Sequence, residues 1–301
     1  MTILSWKEAC RFDASLFLLS EQFFQHQPIS SHPITVQSLE GGLTNRCWLI
    51  NSTHASWVWR PTTEVSKGFG ISRKREYQIL SLLDSFPLSP KAVWLNDQGL
   101  LVEWLNGHSF DTHLPQHQRQ KVVVDALYSL HQFTIPSLKT DKSLAFDYVG
   151  LIHRYYQSIP RKLVTSKLKK QMALFSSLPK MNNQHRTLCH IDMGMHNLID
   201  ATGDIKIIDW EYSAYFYPQF DIAMACSYET LNVRDTVSQY VDKSEKSELP
   251  ANLNSQEGFV DDVLAWRPYT DFIGYLWYLC AAGLYQNDDY IVLSEELRAR
   301  L

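Results

Sequence analysis

The stretch that decides the fold is LCHIDMGMHNLIDATGDIKIIDWEY, residues 188–212. Two short apolar runs, Leu198–Asp200 and Ile205–Ile208, flank the turn-forming tetrapeptide ATGD, so this part predicts a β-hairpin. If the two strands pair symmetrically about that turn, Asn197 ends beside Asp209. The hairpin therefore predicts a site at which one amide oxygen and one carboxylate meet.

Such a pair of oxygen ligands suits Mg²⁺, which binds few protein groups and fills its other positions with phosphate oxygens and water. Asn197 and Asp209 are therefore the candidate metal ligands. Asp192, on the loop before Asn197, is the candidate base that accepts the proton of an attacking hydroxyl. His190 is a second catalytic candidate, but its apolar neighbours favour a ring that bonds to backbone and braces the loop.

Composition limits the classes of function. The chain has 301 residues, 45% of them hydrophobic, and its 28 basic against 32 acidic residues form no long block of one sign. That balance gives no support for binding nucleic acid. The five scattered cysteines and the lack of an export signal favour the cytoplasm. The longest apolar stretch, Phe272–Tyr285, is too short to span a bilayer, so we expect no membrane insertion.

The sequence pattern is typical of strands in residues 34–106 and of helices in residues 115–301, which predicts an α+β protein with two lobes. We place a strand-rich N-lobe at residues 1–102, a hinge at 103–108 and a helical C-lobe at 109–301. The polar segment 236–258 is expected to be a loop or a solvated helix. The predicted elements are strands at Ile34–Leu39, Arg46–Asn51, Ser56–Arg60 and Leu100–Trp104, and helices at Ser72–Phe86 and from Pro115 to about Phe133.

The helix at Ser72–Phe86 places an acid, Glu76, on the same face as Leu80 and Leu83. A buried carboxylate needs a cation, and Arg60 on the preceding strand is the candidate. The alternative is that Glu76 is an ordinary exposed helix acid.

The order H-x-D-x-x-x-x-N, hairpin, I-D-W-E in residues 190–211 resembles the aminoglycoside phosphotransferase and choline kinase superfamily, which is related to the protein kinases. The resemblance implies a bilobal protein-kinase-like fold, with a small antiparallel sheet in the N-lobe and a larger helical C-lobe. It also implies use of ATP and Mg²⁺, and a bracing role for Asp221 from a following helix.

Further nucleotide contacts come from the same resemblance. The segment Glu40–Asn45 is similar to the glycine-containing loop of choline kinases, although a plain hairpin turn is the alternative. Arg60 falls where protein kinases have a phosphate-binding lysine that pairs with a helix glutamate, here Glu76. Residues of the hinge strand line the adenine pocket in this family. The implied nucleotide contacts are thus Gly41, Gly42, Thr44, Asn45, Arg60, Glu76, Glu103 and Leu105.

The resemblance is less specific about which alcohol accepts the phosphoryl group. Glu211 and Tyr212 lie in a segment that is similar to choline and ethanolamine kinases, and thiamine kinases share it. A cationic substrate favours aromatic faces, and Trp277 is the best single candidate for such a contact. The stripe Trp266–Tyr275 has helical spacing and equally predicts a packed helix face.

The expected function is ATP- and Mg²⁺-dependent phosphorylation of a small-molecule alcohol, an amino alcohol such as choline or ethanolamine. Thiamine kinase and aminoglycoside-type phosphotransferase are the enzymatic alternatives, and metal-dependent hydrolysis is a weaker one. A nucleotide-binding pseudokinase scaffold is the non-enzymatic alternative. The sequence predicts no oligomeric state.

Overall fold

The computed structural model describes residues 3–39, 47–110, 113–245 and 255–301. The chain divides into two units, Met1–Gly107 and His108–Leu301. The hinge at 103–108 remains a prediction.

The first unit contains a six-stranded antiparallel sheet in the order β1-β2-β3-β4-β6-β5. Four of its strands lie within one residue of their predicted positions, whereas the first and fifth were not predicted. The strands are β1 (Ile3–Ser5), β2 (Thr35–Leu39), β3 (Cys47–Asn51), β4 (Ser56–Pro61), β5 (Ala92–Asn96) and β6 (Gly99–Glu103).

Four α-helices accompany this sheet: α1 (Trp6–Phe12), α2 (Ala14–Gln22), α3 (Glu64–Gly68) and α4 (Arg73–Leu82). Ser72, at which the predicted helix begins, is the N-cap of α4, because its side chain accepts a hydrogen bond from Arg75 N. One face of the sheet packs on α2, where the buried indole of Trp59 donates to Ser15 Oγ over 2.9 Å. This packing holds β4, the strand that bears Arg60.

The second unit is mainly helical. Its helices are α5 (Gln116–Gln132), α6 (Tyr148–Ser158), α7 (Ser166–Phe175), α8 (Pro218–Tyr228), α9 (Val233–Glu245), α10 (Gln256–Leu284) and α11 (Asp289–Ala299). Its short strands are β7 (His108–Ser109), β8 (Thr187–Cys189), β9 (Leu198–Ala201), β10 (Asp204–Ile207) and β11 (Ala214–Phe216). Ten of the eleven residues of α8 are buried, so this helix forms the centre of the unit.

The polar segment 236–258 is not a loop over its described part, because α9 and the start of α10 cover it. Val237 and Tyr240 of α9 are buried, so the helix has a packed side as well as a solvated one. The apolar stretch within α10 is a core helix, as predicted. Among the described residues, no helix has the length and apolar character required to cross a bilayer.

Candidate active site

The hairpin that the sequence predicted is present with the predicted register. Asp200 pairs with Ile205, Ile199 with Lys206 and Leu198 with Ile207. Beyond the last pair, Ile208 N donates to Asn197 O over 3.0 Å. The backbone of Asn197 is thus one residue from Asp209, as the pairing argument requires.

The carboxylate of Asp192 is held on both of its oxygens. Asn197 Nδ2 donates to Asp192 Oδ2 over 3.1 Å and to the Asp192 carbonyl over 2.8 Å. The Tyr228 hydroxyl donates to Asp192 Oδ1 over 2.7 Å. The Asp192 side chain nevertheless keeps 24% of its surface exposed. A fixed and accessible carboxylate of this kind fits a base that meets a substrate hydroxyl.

The same contacts orient the amide of Asn197. Because its nitrogen faces Asp192, its side-chain oxygen is directed elsewhere and can act as a metal ligand. The donor set of Asn197 and Asp209, an amide oxygen and a carboxylate, fits Mg²⁺. The residues present therefore fit the predicted metal, and their assignment as ligands remains a proposal.

His196 lies next to this group, with Nε2 3.9 Å from Asp192 Oδ2. Burial lowers the pKa of His196, but the hydrogen bond and charge of Asp192, together with Asp209 and Glu229, outweigh it and raise the pKa. Three carboxylates, those of Asp192, Asp209 and Glu229, therefore act on the His196 ring. Concentrated negative charge is what a cation-binding site provides.

His190 is buried, and its Nε2 donates to Ile208 O over 2.9 Å. Its ring also meets the indole of Trp210 edge to face, with centroids 5.1 Å apart. These contacts connect the catalytic loop to the end of the hairpin, as the bracing interpretation predicts.

Two residues of the site have left-handed backbone angles that non-glycine residues seldom adopt. Ile191 has φ 70° and Asp209 has φ 65°. A β-branched residue in this region is strained, at a cost of order 1–3 kcal/mol. Asp209, the predicted metal ligand, is of a residue type that tolerates this region, whereas Ile191 precedes Asp192 directly, so neighbouring contacts must offset the strain at Ile191.

Asp221 supplies those contacts for the loop that bears Asp192, residues 190–197. Its Oδ2 accepts from His190 N over 2.6 Å, and its Oδ1 accepts from Ile191 N over 2.7 Å. The bracing role that the resemblance implied for Asp221 is visible in these two bonds.

His131 extends the network from α5. Its Nε2 lies 3.2 Å from Asp221 Oδ2, and its Nδ1 lies 2.9 Å from the Tyr240 hydroxyl. His131, Cys189 and Asp221 bring possible metal-ligand atoms within 4.8 Å of one another. The hydrogen bonds of His131 and Asp221 account for this buried group without a metal, and burial raises the pKa of the Cys189 thiol well above its usual value.

The predicted substrate residues lie in one aromatic region. Trp277 Nε1 donates to the Tyr212 hydroxyl over 3.4 Å, and the Trp277 ring meets Tyr278 and Tyr290 with centroids 5.3 and 6.1 Å away. Burial raises the pKa of Tyr278, and the charges of Glu296 and Asp192 add to the increase. Asp192 is therefore within electrostatic range of this aromatic region.

The aromatic residues of α10 fall into two groups, one that packs in the core and one that is partly exposed. Trp266 is buried among Phe216, Phe220 and Tyr148, which makes it a core residue. The packed-face interpretation is confirmed for Trp266, Phe272 and Tyr275, which are buried, and the fourth member, Tyr269, is half-buried against Trp266. Trp277 is only half-buried, so it keeps surface for a ligand.

In the first unit, Glu76 binds two arginines. Arg60 Nε lies 2.8 Å from Glu76 Oε1, as predicted, and Arg73 Nη1 lies 2.5 Å from Glu76 Oε2. The side chains of all three residues are at least 90% buried. Glu76 therefore fixes the guanidinium of Arg60, and the exposed-acid alternative is wrong.

For the other residues that were predicted to contact the nucleotide, the structure gives less information about their surroundings. Gly41, Gly42, Thr44 and Asn45 lie outside the described residues. Glu103 is exposed, and its Oε2 accepts from Lys91 N over 3.1 Å. Leu105 is half-buried after the end of β6. Their nucleotide contacts remain predictions.

The contacts made by Tyr228, Glu229 and Arg73 were not predicted from the sequence. Tyr228 was missed because it lies 36 residues from Asp192 and belongs to no motif. Glu229 also belongs to no motif, and Met195 N donates to its Oε1 over 2.9 Å while Arg119 lies 3.2 Å from its Oε2. Arg73 could have been found, because i,i+3 pairs on a helix lie side by side.

We predict that Asp221→Asn lowers the free energy of unfolding by about 1–3 kcal/mol, because the amide turns a donor toward a buried N–H and leaves it unsatisfied. Urea unfolding followed by circular dichroism measures this. Asp84→Asn is the matched control, since Asp84 pairs with Lys91 at the surface and should change stability by less than about 1 kcal/mol. Equal losses in the two variants would contradict the bracing role.

We predict that Glu76→Gln costs about 3–5 kcal/mol, because two buried guanidinium groups then lose their counter-charge. Glu64→Gln, which disrupts an exposed pair with Lys67, is the control and should cost little. Chemical denaturation of both variants gives the comparison. A Glu76→Gln protein as stable as the control would show that the buried carboxylate is not needed.

Comparison with known proteins agrees with this geometry. The mouse ethanolamine kinase 1 is 25% identical over 243 residues, which cover 72% of this chain and 63% of the mouse protein. The chain thus spans less than two thirds of the length of this curated relative.

Solved structures share the fold at low sequence identity. A Plasmodium vivax ethanolamine kinase superposes with a TM-score of 0.74 at 18% identity, covering 97% of this chain and 91% of the other. The choline kinase LicA of Streptococcus pneumoniae gives 0.67 at 18% identity, covering 96% and 98%. The predicted α+β kinase-like fold is therefore confirmed. The family model described as choline/ethanolamine kinase matches residues 36–266, and the chain belongs to that family.

Proposed function

We propose that this protein transfers the terminal phosphoryl group of ATP to the hydroxyl of an amino alcohol, choline or ethanolamine. The observation that carries the proposal is the Asp192 carboxylate, which is held at both oxygens by Asn197 and Tyr228 and is partly exposed. Family membership and the kinase names of the relatives support it.

In this proposal Asp192 accepts a hydrogen bond from the substrate hydroxyl and takes its proton as the oxygen attacks phosphorus. Tyr228 and Asn197 keep the carboxylate in position, so the catalytic loop loses little conformational freedom on binding. His190 and Asp221 are positioning residues, because they contact the loop backbone and not the reacting atoms.

Asn197 and Asp209 are the proposed magnesium ligands. A bound Mg²⁺ supplies positive charge that neutralises the phosphate oxygens. The backbone bond between Ile208 and Asn197 keeps the two ligand residues adjacent, which preorganises the donors before the metal arrives.

For the nucleotide, we propose that Arg60 contacts a phosphate while Glu76 holds the guanidinium. Arginine suits this task because its planar fork binds carboxylate and phosphate oxygens at the same time. Gly41, Gly42, Thr44 and Asn45 are proposed phosphate contacts, and Glu103 and Leu105 proposed adenine contacts, on the sequence resemblance. A LicA structure is described as a complex with AMP, which supports nucleotide use by a structural neighbour.

We propose that the ammonium end of the alcohol binds to the aromatic faces of Trp277 and Tyr278. Cations are attracted to such faces by about 0.5–2 kcal/mol each. Glu211 is buried beside Tyr212 and adds negative charge, since it contributes to the raised pKa of Tyr212 after burial and Tyr155. We also propose that the protein acts in the cytoplasm, which its five cysteines favour because none of them forms a disulfide.

The reaction is tested with ADP release and mass spectrometry of the product, using ATP, Mg²⁺ and a panel of choline, ethanolamine, thiamine and an aminoglycoside. We expect a phosphorylated amino alcohol. Asp192→Asn should lower kcat by at least about 10²-fold, whereas Asp204→Asn, an exposed acid of the same hairpin, should retain activity. Nucleotide binding without any phosphorylated alcohol would instead support a pseudokinase scaffold.

The role of Tyr228 is tested separately. Tyr228→Phe removes one charge-assisted hydrogen bond to the base, so we expect kcat to fall by about tenfold with KM nearly unchanged. The side chain is 44% exposed, so the fold should tolerate the change. Tyr156→Phe, on the half-buried side of α6, is the control. A raised KM with unchanged kcat would show that the hydroxyl binds substrate and does not position Asp192.

A further inference from the structure

Although the basic residues of the chain form no continuous run, one segment has basic residues and no acidic ones. Between Asp147 and Asp192 the chain has eight lysine and arginine residues and no acid. The remainder of the chain therefore has 20 basic residues against 32 acidic ones. This segregation is invisible in a count over the whole chain, and the proposed catalytic chemistry does not use it.

The centre of this segment is α7, which has a distinct inner and outer side. Phe175 stacks on Phe272 of α10, with centroids 4.5 Å apart, and Leu168 and Met172 are also buried. The outer side presents Lys167, Lys170 and Leu174, which are spaced by three and four residues and so form one stripe. Both lysines are exposed, and Leu174 is 65% exposed.

The residues on either side of α7 are also exposed, and they too are basic or apolar. Arg161, Lys162 and Lys180 are exposed, and Leu178 is 42% exposed. We call the whole set the basic face: Arg161, Lys162, Lys167, Lys170, Leu174, Leu178 and Lys180. Among the described residues, the only ion pair made by its five cations joins Lys162 to Asp288, with the charged atoms 3.6 Å apart. The face spans 20 residues around a helix about 15 Å long.

We propose that the basic face docks the protein on a lipid bilayer that contains anionic phospholipids. Charge complementarity selects an anionic partner, because lysines near such a surface attract its headgroups. The exposed leucines select a bilayer among anionic partners, since apolar side chains between lysines can enter the boundary between headgroups and acyl chains.

Nucleic acid fits the same face less well. Binding to single strands depends on exposed aromatic rings that stack on bases. The only aromatic residue between positions 161 and 180 is Phe175, and it is buried in the contact with α10. The proposed docking is peripheral, so it agrees with the absence of a spanning helix among the described residues.

The test is cosedimentation of the full chain with vesicles of phosphatidylcholine alone or mixed with phosphatidylglycerol. We expect binding only to the mixed vesicles at about 0.05 M salt and its loss at about 0.5 M salt, because screening shortens the reach of the charges. Lys167→Glu combined with Lys170→Glu should weaken binding at least about tenfold. Leu174→Ser should weaken it several-fold and leave the salt dependence in place.

Lys7→Glu combined with Arg11→Glu is the matched control, because it removes two exposed cations of α1 and changes the net charge equally. This control should bind like the unmodified protein. Equal binding to both vesicle types, or equal losses in the two double variants, would overturn the proposal. Tighter binding to a DNA or RNA oligonucleotide than to the mixed vesicles would also overturn it. These outcomes do not depend on turnover of any alcohol.

Discussion

The carboxylate of Asp221 is the constraint on which the active site depends. Its two oxygens accept the backbone N–H groups of His190 and Ile191, and Ile191 has a left-handed backbone that a β-branched residue resists. Without an acceptor there, the loop would relax to a favoured conformation and Asp192 would move with it. A buried carboxylate is otherwise costly, but these hydrogen bonds and His131 offset the cost of desolvation.

The hairpin and the loop illustrate what the sequence can predict. The register from Leu198 to Ile207 was predictable because strand pairing has a period of two and the turn leaves one symmetric solution. Asp192 and Asn197 were predictable because they lie in the same short motif. Tyr228 was not predictable, because its position depends on how α8 packs under the loop, and no local pattern specifies that packing.

In the first unit, the sequence predicts one of the two ion pairs made by Glu76. The helical face predicted that Glu76 points inward, and the desolvation cost of a lone carboxylate then predicted Arg60. The second arginine, Arg73, follows from geometry, since Glu76 has two oxygens and one guanidinium satisfies only part of them. Two cations on one anion give this buried cluster of three side chains a net charge of +1. A positive cluster suits an anionic ligand, which is the chemistry proposed for Arg60.

The long helix α10 shows why composition alone does not assign a binding site. Trp266, Tyr269, Phe272 and Tyr275 follow one another at intervals of three, so periodicity predicts one packed face, and Trp277 falls outside that series. The helix is 29 residues long and is buried along most of its length, from Trp266 to Ala281. At its half-buried position, Trp277 meets Tyr212 and Tyr290 in place of the central phenylalanines. One helix therefore stabilises the fold through its buried side and offers the Trp277 ring on another side, and only the packing around each residue separates the two roles.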